Sequence, residues 1–206
     1  MNRFVHILVG LLLVGSVVYA QQSDVRDGLT PELVAALQDG GHVIYIRHAM
    51  TETDYADQVD ATLSDCATQR VLSEAGWEQA RDIGASFEVL EIPVAQVIAS
   101  EYCRAWQTAD LAFGRYVKNA DLNFLPVADF SDEQMATMSE RVTPFLSAVP
   151  VDGLNTVIVA HDDPFEAATG IYPEPQGVAY VVRPLGDDGF ELLARVPADA
   201  WISTAR

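Results

Sequence analysis

The chain has 206 residues, half of them hydrophobic, which suits one domain with a buried core and excludes a disordered chain. Acidic residues number 30 against 12 basic ones, a formal charge of -18, so the surface repels nucleic acid and anionic lipid. With basic residues this scarce, any place where arginines gather stands out.

The N-terminus carries a positive Arg3, then an apolar run from Ile7 to Val18, and Val18-Tyr19-Ala20 presents small or tolerated residues before Gln21. This predicts a secretory signal peptide over residues 1–20 and leaves 21–206 as a single domain, periplasmic or secreted. The apolar run is short of the ~20 residues a comfortable membrane span takes, so cleavage is expected rather than stable insertion. Two cysteines are present, Cys66 and Cys103. An oxidising compartment usually bridges an even pair, and a bridge closing this loop would stabilise the fold by ~3–4 kcal/mol in the chain-entropy model. A reactive thiol is the alternative. Zinc-ligand spacing is absent, so no metal is expected.

In chain order, Thr30 caps a helix with Pro31 in its first position and Glu32 in its first turn, and Gly40-Gly41 stops it. His42 to Arg47 reads as a strand whose continuous apolar run suits burial on both faces of a parallel sheet. Met50 to Cys66 is polar, acidic and aperiodic, a long loop. Ser73 caps a helix to about Leu90, with Ala80, Ile83 and Phe87 on one stripe. Pro93 breaks the chain before a strand over Val94 to Ser100. A helix over Tyr102 to Phe113 ends at Gly114, and Ser131 caps another to about Ala148. Asn155 to Ala160 is a third buried strand. Val178–Val182 and Phe190–Val196 form strands joined by a turn at Gly186 to Gly189. Alternating strands and helices predict a right-handed, doubly wound sheet with helices on both faces, and such sheets place ligands beyond the carboxyl ends of their strands.

Three of the strands end suggestively. The first ends in Arg47-His48. The second ends at Ser100, with Arg104 one turn into the next helix. The third ends in His161. If these strands are parallel neighbours, two arginines and two histidines meet at one sheet edge. Guanidinium forks hold phosphate oxygens at any working pH. A neutral imidazole can attack phosphorus when its other nitrogen is fixed by a hydrogen bond. A second, protonated imidazole would stabilise charge on the transferring group, and a carboxylic acid would serve the leaving oxygen. His42 starts its strand, on the opposite edge, and reads as structural. Glu52, Asp54, Asp57 and Asp60 read as a solvated loop; the functional alternatives are a cation site or selection of a positively charged phosphorylated substrate. Lining the pocket, they would raise the pKa of nearby imidazoles.

Four segments carry a family resemblance. Tyr45-Ile46-Arg47-His48-Ala49, Leu72-Ser73-Glu74-Ala75-Gly76-Trp77-Glu78-Gln79-Ala80, Ser100 to Ala109 and Val157 to His161 together resemble the histidine phosphatase (phosphoglycerate mutase-like) superfamily, most of all the small secreted members of its first branch. The resemblance implies a three-layer α/β/α sandwich with a mostly parallel central sheet. It implies a phosphomonoesterase acting on a small phosphorylated substrate through a phosphohistidine, with no cofactor. His48 would be the nucleophile, Arg47, Arg104 and His161 would bind and stabilise phosphate, and Cys66 and Cys103 would form a disulfide tying the long loop to the Arg104 helix.

The pattern departs at three places. Ala49 stands where the family has Gly, a residue that permits close approach or positive φ. Ala99 stands where a first Ser is common. Asp162 follows His161 where Gly is common, and His161-Asp162 resembles the His-Asp pair of the acid phosphatase and phytase branch, which implies Asp162 as general acid. Asp129 and Glu133 are the weaker candidates for that role, and Asp162-Asp163 before Pro164 equally reads as a helix cap. The rival reading is a phosphate-binding or scaffold protein that keeps the pocket without turnover.

Overall fold

The computed structural model describes residues 25–204 except 55, 59, 127 and 128, so the predicted signal peptide lies outside the described residues. Among the described residues, seven strands and six α-helices follow in chain order: β1 (Arg26–Asp27), α1 (Pro31–Asp39), β2 (Val43–Arg47), α2 (Glu74–Val89), β3 (Val94–Ala99), α3 (Cys103–Phe113), β4 (Val117–Lys118), α4 (Asp132–Ser147), β5 (Asn155–Ala160), α5 (Asp162–Thr169), β6 (Ala179–Pro184), β7 (Phe190–Val196) and α6 (Ala198–Thr204). They form one sheet of order β1-β7-β6-β2-β5-β3-β4. β5 pairs in parallel with β2 on one side and β3 on the other, while β6 runs antiparallel to both β2 and β7.

The solid apolar runs have the expected cause. Every residue of β2 is buried, because its two faces meet two different cores. Ile44 and Ile46 join Leu37 of α1, Ile83 and Phe87 of α2, Ala109 of α3 and Trp201 of α6. Val43 and Tyr45 face the other way, to Val142 and Leu146 of α4 and Phe165 of α5. Strand residues alternate in direction, so a strand covered on both sides has no polar position to spare. The result is the three-layer sandwich.

The caps also act as expected. Thr30 accepts from Leu33 N, Ser73 from Gly76 N, and Ser131 forms a full capping box with Gln134. One assignment needs correcting. Asp162 and Asp163 do not cap the helix before Pro164. His161 occupies the N-cap position, and the two aspartates lie in the first turn of α5, where carboxylates meet the positive end of the helix dipole.

Candidate active site

Register brings the site together. Arg47 at the end of β2 lies opposite Ala160 at the end of β5, and Ala99 at the end of β3 lies opposite Val159. The ladder continues one residue further on both sides, with His48 N donating to Ala160 O and Ser100 N donating to Val159 O. His48, His161 and the start of the Arg104 helix therefore leave the sheet at one level. Both imidazoles are fully buried, and their ring centroids are 5.5 Å apart at a steep angle.

The hydrogen bonds fix both tautomers. His48 Nδ1 lies 2.9 Å from Ala49 O, a pure acceptor, so Nδ1 carries the proton and Nε2 presents a lone pair. The Ser100 hydroxyl donates to Asn123 Oδ1, while Asn123 Nδ2 donates to Glu101. Ser100 Oγ is left to accept from His161 Nε2, 2.8 Å away, so the neutral His161 presents a bare Nδ1. His48 Nε2 and His161 Nδ1 are buried without a protein hydrogen-bond partner, as are the Nε atoms of Arg47, Arg70 and Arg104. Buried polar atoms are almost always paired, and five of the eight partnerless ones among the described residues belong to these side chains: three guanidinium Nε–H donors, which an anionic oxygen could accept from, and two imidazole lone pairs, which could take a proton or attack an electrophile.

Carboxylates hold the outer nitrogens. Arg47 Nη2 donates to Asp162 Oδ2 at 2.6 Å and its Nη1 to Pro173 O at 2.9 Å. Arg104 Nη1 donates to Asp57 Oδ1 at 3.0 Å, and the same oxygen accepts from Arg70 N at 2.7 Å. Tyr172 Oη also donates to Asp162 Oδ2. Tyr102 and Phe124 stack near His161 and face the Arg104 guanidinium, closing that side with aromatic surface.

Burial pushes both imidazoles well below 6.5, reinforced by Arg104 in each case, so both are neutral near pH 7. Asp162 opposes the shift at His48, but desolvation and the buried arginines outweigh it. Asp162 is raised by burial, but the Tyr172 hydrogen bond and Arg47 more than reverse this and leave it below the usual carboxylate value. Its neighbour Asp163 goes the other way, raised to about 6 by burial and by the charges of Asp162 and Glu166. Tyr172 is raised to about 12 by burial and its bond to Asp162, so it remains a protonated donor.

Ala49 fits where Gly was expected. Among the described residues, only Glu91 among the non-glycines has positive φ, so Ala49 needs no left-handed backbone. Its methyl packs with Leu72 and Ala80, and its N–H donates to Thr108 Oγ1. Cys66 and Cys103 form a disulfide, linking the long loop to the first residue of α3. His42 lies at the amino end of β2 with Nδ1 on Gly40 O, outside the site. Asp129 and Glu133 are exposed and share no hydrogen bond with the pocket. Sequence reasoning missed Arg70, Ser100, Asn123 and Tyr172 as site residues. Arg70 had one available signal: it is one of only 12 basic residues and sits two places before the Leu72 motif.

No protein-family model matches the chain, and no curated protein matches it. Solved structures do. The protein histidine phosphatase SixA complexed with tungstate aligns over 77% of this chain and 97% of its own, at 14% identity and a TM-score of 0.52. A phosphoserine phosphatase variant from Entamoeba histolytica in complex with phosphoserine aligns over 77% and 98%, at 11% identity and a TM-score of 0.57. An Escherichia coli K-12 protein provisionally assigned as an alpha-ribazole-5'-P phosphatase gives 77%, 98%, 16% and 0.55. The fold is that of the histidine phosphatases, the phosphoglycerate mutase-like class. At these identities the likeness speaks for the fold alone.

Proposed function

We propose that the protein is an exported phosphomonoesterase that hydrolyses a small phosphate ester through a phosphohistidine on His48. The observation that carries this reading is the bare, buried Nε2 of His48, held neutral by burial and by the nearby charges of Arg104 and Arg47. Arg47, Arg104 and Arg70 neutralise the phosphate, which otherwise repels any nucleophile. His48 Nε2 attacks phosphorus; the P–N bond forms as the P–O ester bond breaks, and the leaving oxygen takes a proton. Asp162 is the proposed donor. It is ionised in the free protein, and an arriving phosphate dianion raises its proton affinity. Water then attacks the phosphohistidine, giving its proton to the Asp162 carboxylate and restoring His48. His161 Nδ1, bare when neutral, binds either a phosphate hydroxyl or, once protonated, a phosphate oxygen; both place one proton between them. The disulfide supports an oxidising, periplasmic or secreted location. Among the described residues no helix is long and apolar enough to cross a membrane.

Hydrolysis of an aryl phosphate by the purified protein and by His48→Ala tests the reading. The expected result is turnover in the parent and a loss of at least ~10³-fold in the variant. Vanadate binding without turnover in the parent would instead support the scaffold reading. Asp162→Asn is expected to slow esters with poor leaving groups far more than aryl esters.

A further inference from the structure

The acidic loop after His48 divides in two. Glu52, Asp54 and Asp60 are exposed, as a solvated loop requires, but Asp57 turns inward. Its Oδ1 takes hydrogen bonds from Arg104 Nη1 and Arg70 N. The Asp57 side chain is 26% exposed and the Arg104 side chain 4%, so the carboxylate is the member of the pair that solvent and ligand can reach. Arg47 repeats the arrangement, 7% exposed behind an Asp162 side chain that is 15% exposed. Each guanidinium thus keeps its buried Nε without a protein partner and is paired through an Nη with a carboxylate more exposed than itself. An ester whose phosphate sits on the Arg104 guanidinium would have Asp57, bonded to the same group, beside it, while Asp162 serves the leaving oxygen.

We propose that Asp57 is a specificity-determining residue that selects phosphate monoesters whose alcohol carries a cationic group close to the ester oxygen, aminoalkyl phosphates being the simplest class. This rests on the reading of the buried imidazoles and guanidiniums as a phosphate site. Asp57 has two effects that a single variant separates. As an acceptor it fixes Arg104 and the backbone of Arg70. As a charge it repels a simple dianion and attracts a cation at the mouth, where the partly desolvated setting strengthens both effects. Asp57→Asn keeps an acceptor oxygen in the same place and removes the charge.

The test measures binding of phosphoethanolamine, its uncharged isostere propyl phosphate and inorganic phosphate by calorimetry. The protein is the full chain carrying His48→Ala, which prevents turnover, with and without Asp57→Asn. With Asp57 present, phosphoethanolamine is expected to bind about tenfold more tightly than propyl phosphate, a preference that shrinks in high salt. In the Asp57→Asn protein the two should bind equally, and inorganic phosphate should bind more tightly than before. Equal binding of the two esters with Asp57 present overturns the proposal, and that comparison needs no folded Asp57 variant. A preference unchanged by Asp57→Asn overturns it too. Failure of inorganic phosphate to bind either protein would sink the phosphate site itself and the proposal with it.

Discussion

A single proton decides what a histidine can do, and at this site its position is set by neighbours that can only accept or only donate. The Ala49 carbonyl leaves His48 Nε2 bare, and the committed Ser100 hydroxyl leaves His161 Nδ1 bare. The two adjacent aspartates of α5 are separated in the same way by their surroundings. Asp162, bonded to Arg47 and Tyr172, is held as a carboxylate; Asp163, with burial and two acids around it, is raised to about 6 from 3.8. A folded-state value above the unfolded one means the native state holds this proton more tightly. The stability it supplies is complete below about pH 4 and lost as pH rises through about 6. At neutral pH the Asp163 carboxylate is therefore a cost. About two units correspond to ~3 kcal/mol at full strength, and solvent screening of this half-buried group reduces that to ~1 kcal/mol. Asp163→Asn should stabilise the protein by roughly that amount at pH 7.5, and the gain should vanish near pH 4. Urea unfolding of parent and variant at the two pH values checks both sign and window.

At the scale of elements, the Leu72-to-Ala80 motif is a clamp on the segment that follows His48. Ser73 N and Ser73 Oγ both donate to Met50 O, and Met50 N donates to Gln79 Oε1. Helix α2 comes so close that a Cβ on Gly76 would fall 1.9 Å from Met50 O. A backbone atom cannot swing aside as a side chain can, so Gly76→Ala must push helix and loop apart. The expected cost is ~3 kcal/mol or more of stability, together with a fall in aryl phosphate turnover as His48 shifts. Thermal unfolding and a rate assay on the same preparation measure the two effects. Elements of this kind were legible in the sequence because several signals agree: cap, apolar stripe and stop residues for α2, unbroken apolar runs for β2 and β5. The two-residue strands β1 and β4 carry no period to read. Arg70 and Asp57 sit in aperiodic loop, where sequence order says nothing about which side chain turns inward. Their meeting at Arg104 comes from the tertiary path of the loop.

Across the whole molecule, three of the twelve basic residues, Arg47, Arg70 and Arg104, gather near the buried imidazoles in a chain of formal charge -18. Keeping three guanidiniums together there demands that the long loop, which supplies Arg70 and Asp57, stay fixed against α3, which supplies Arg104. The Cys66–Cys103 bond does this, and it is reinforced by Gln69, whose Oε1 accepts from Cys103 N while its Nε2 donates to Thr62 O. Closing a loop of 37 residues removes chain entropy from the unfolded state worth ~4 kcal/mol. For a domain of this size that corresponds to a melting temperature lower by about 10 °C when the bond is absent. Cys66→Ser with Cys103→Ser should show that fall. It should also weaken inorganic phosphate binding, because the Arg70 cation loses its fixed place near Arg104 while Arg47 and His48, held by β2, do not. A pair of variants that melts lower but binds phosphate with unchanged affinity would assign the bond to stability alone and place the loop's contribution to the pocket in its hydrogen bonds.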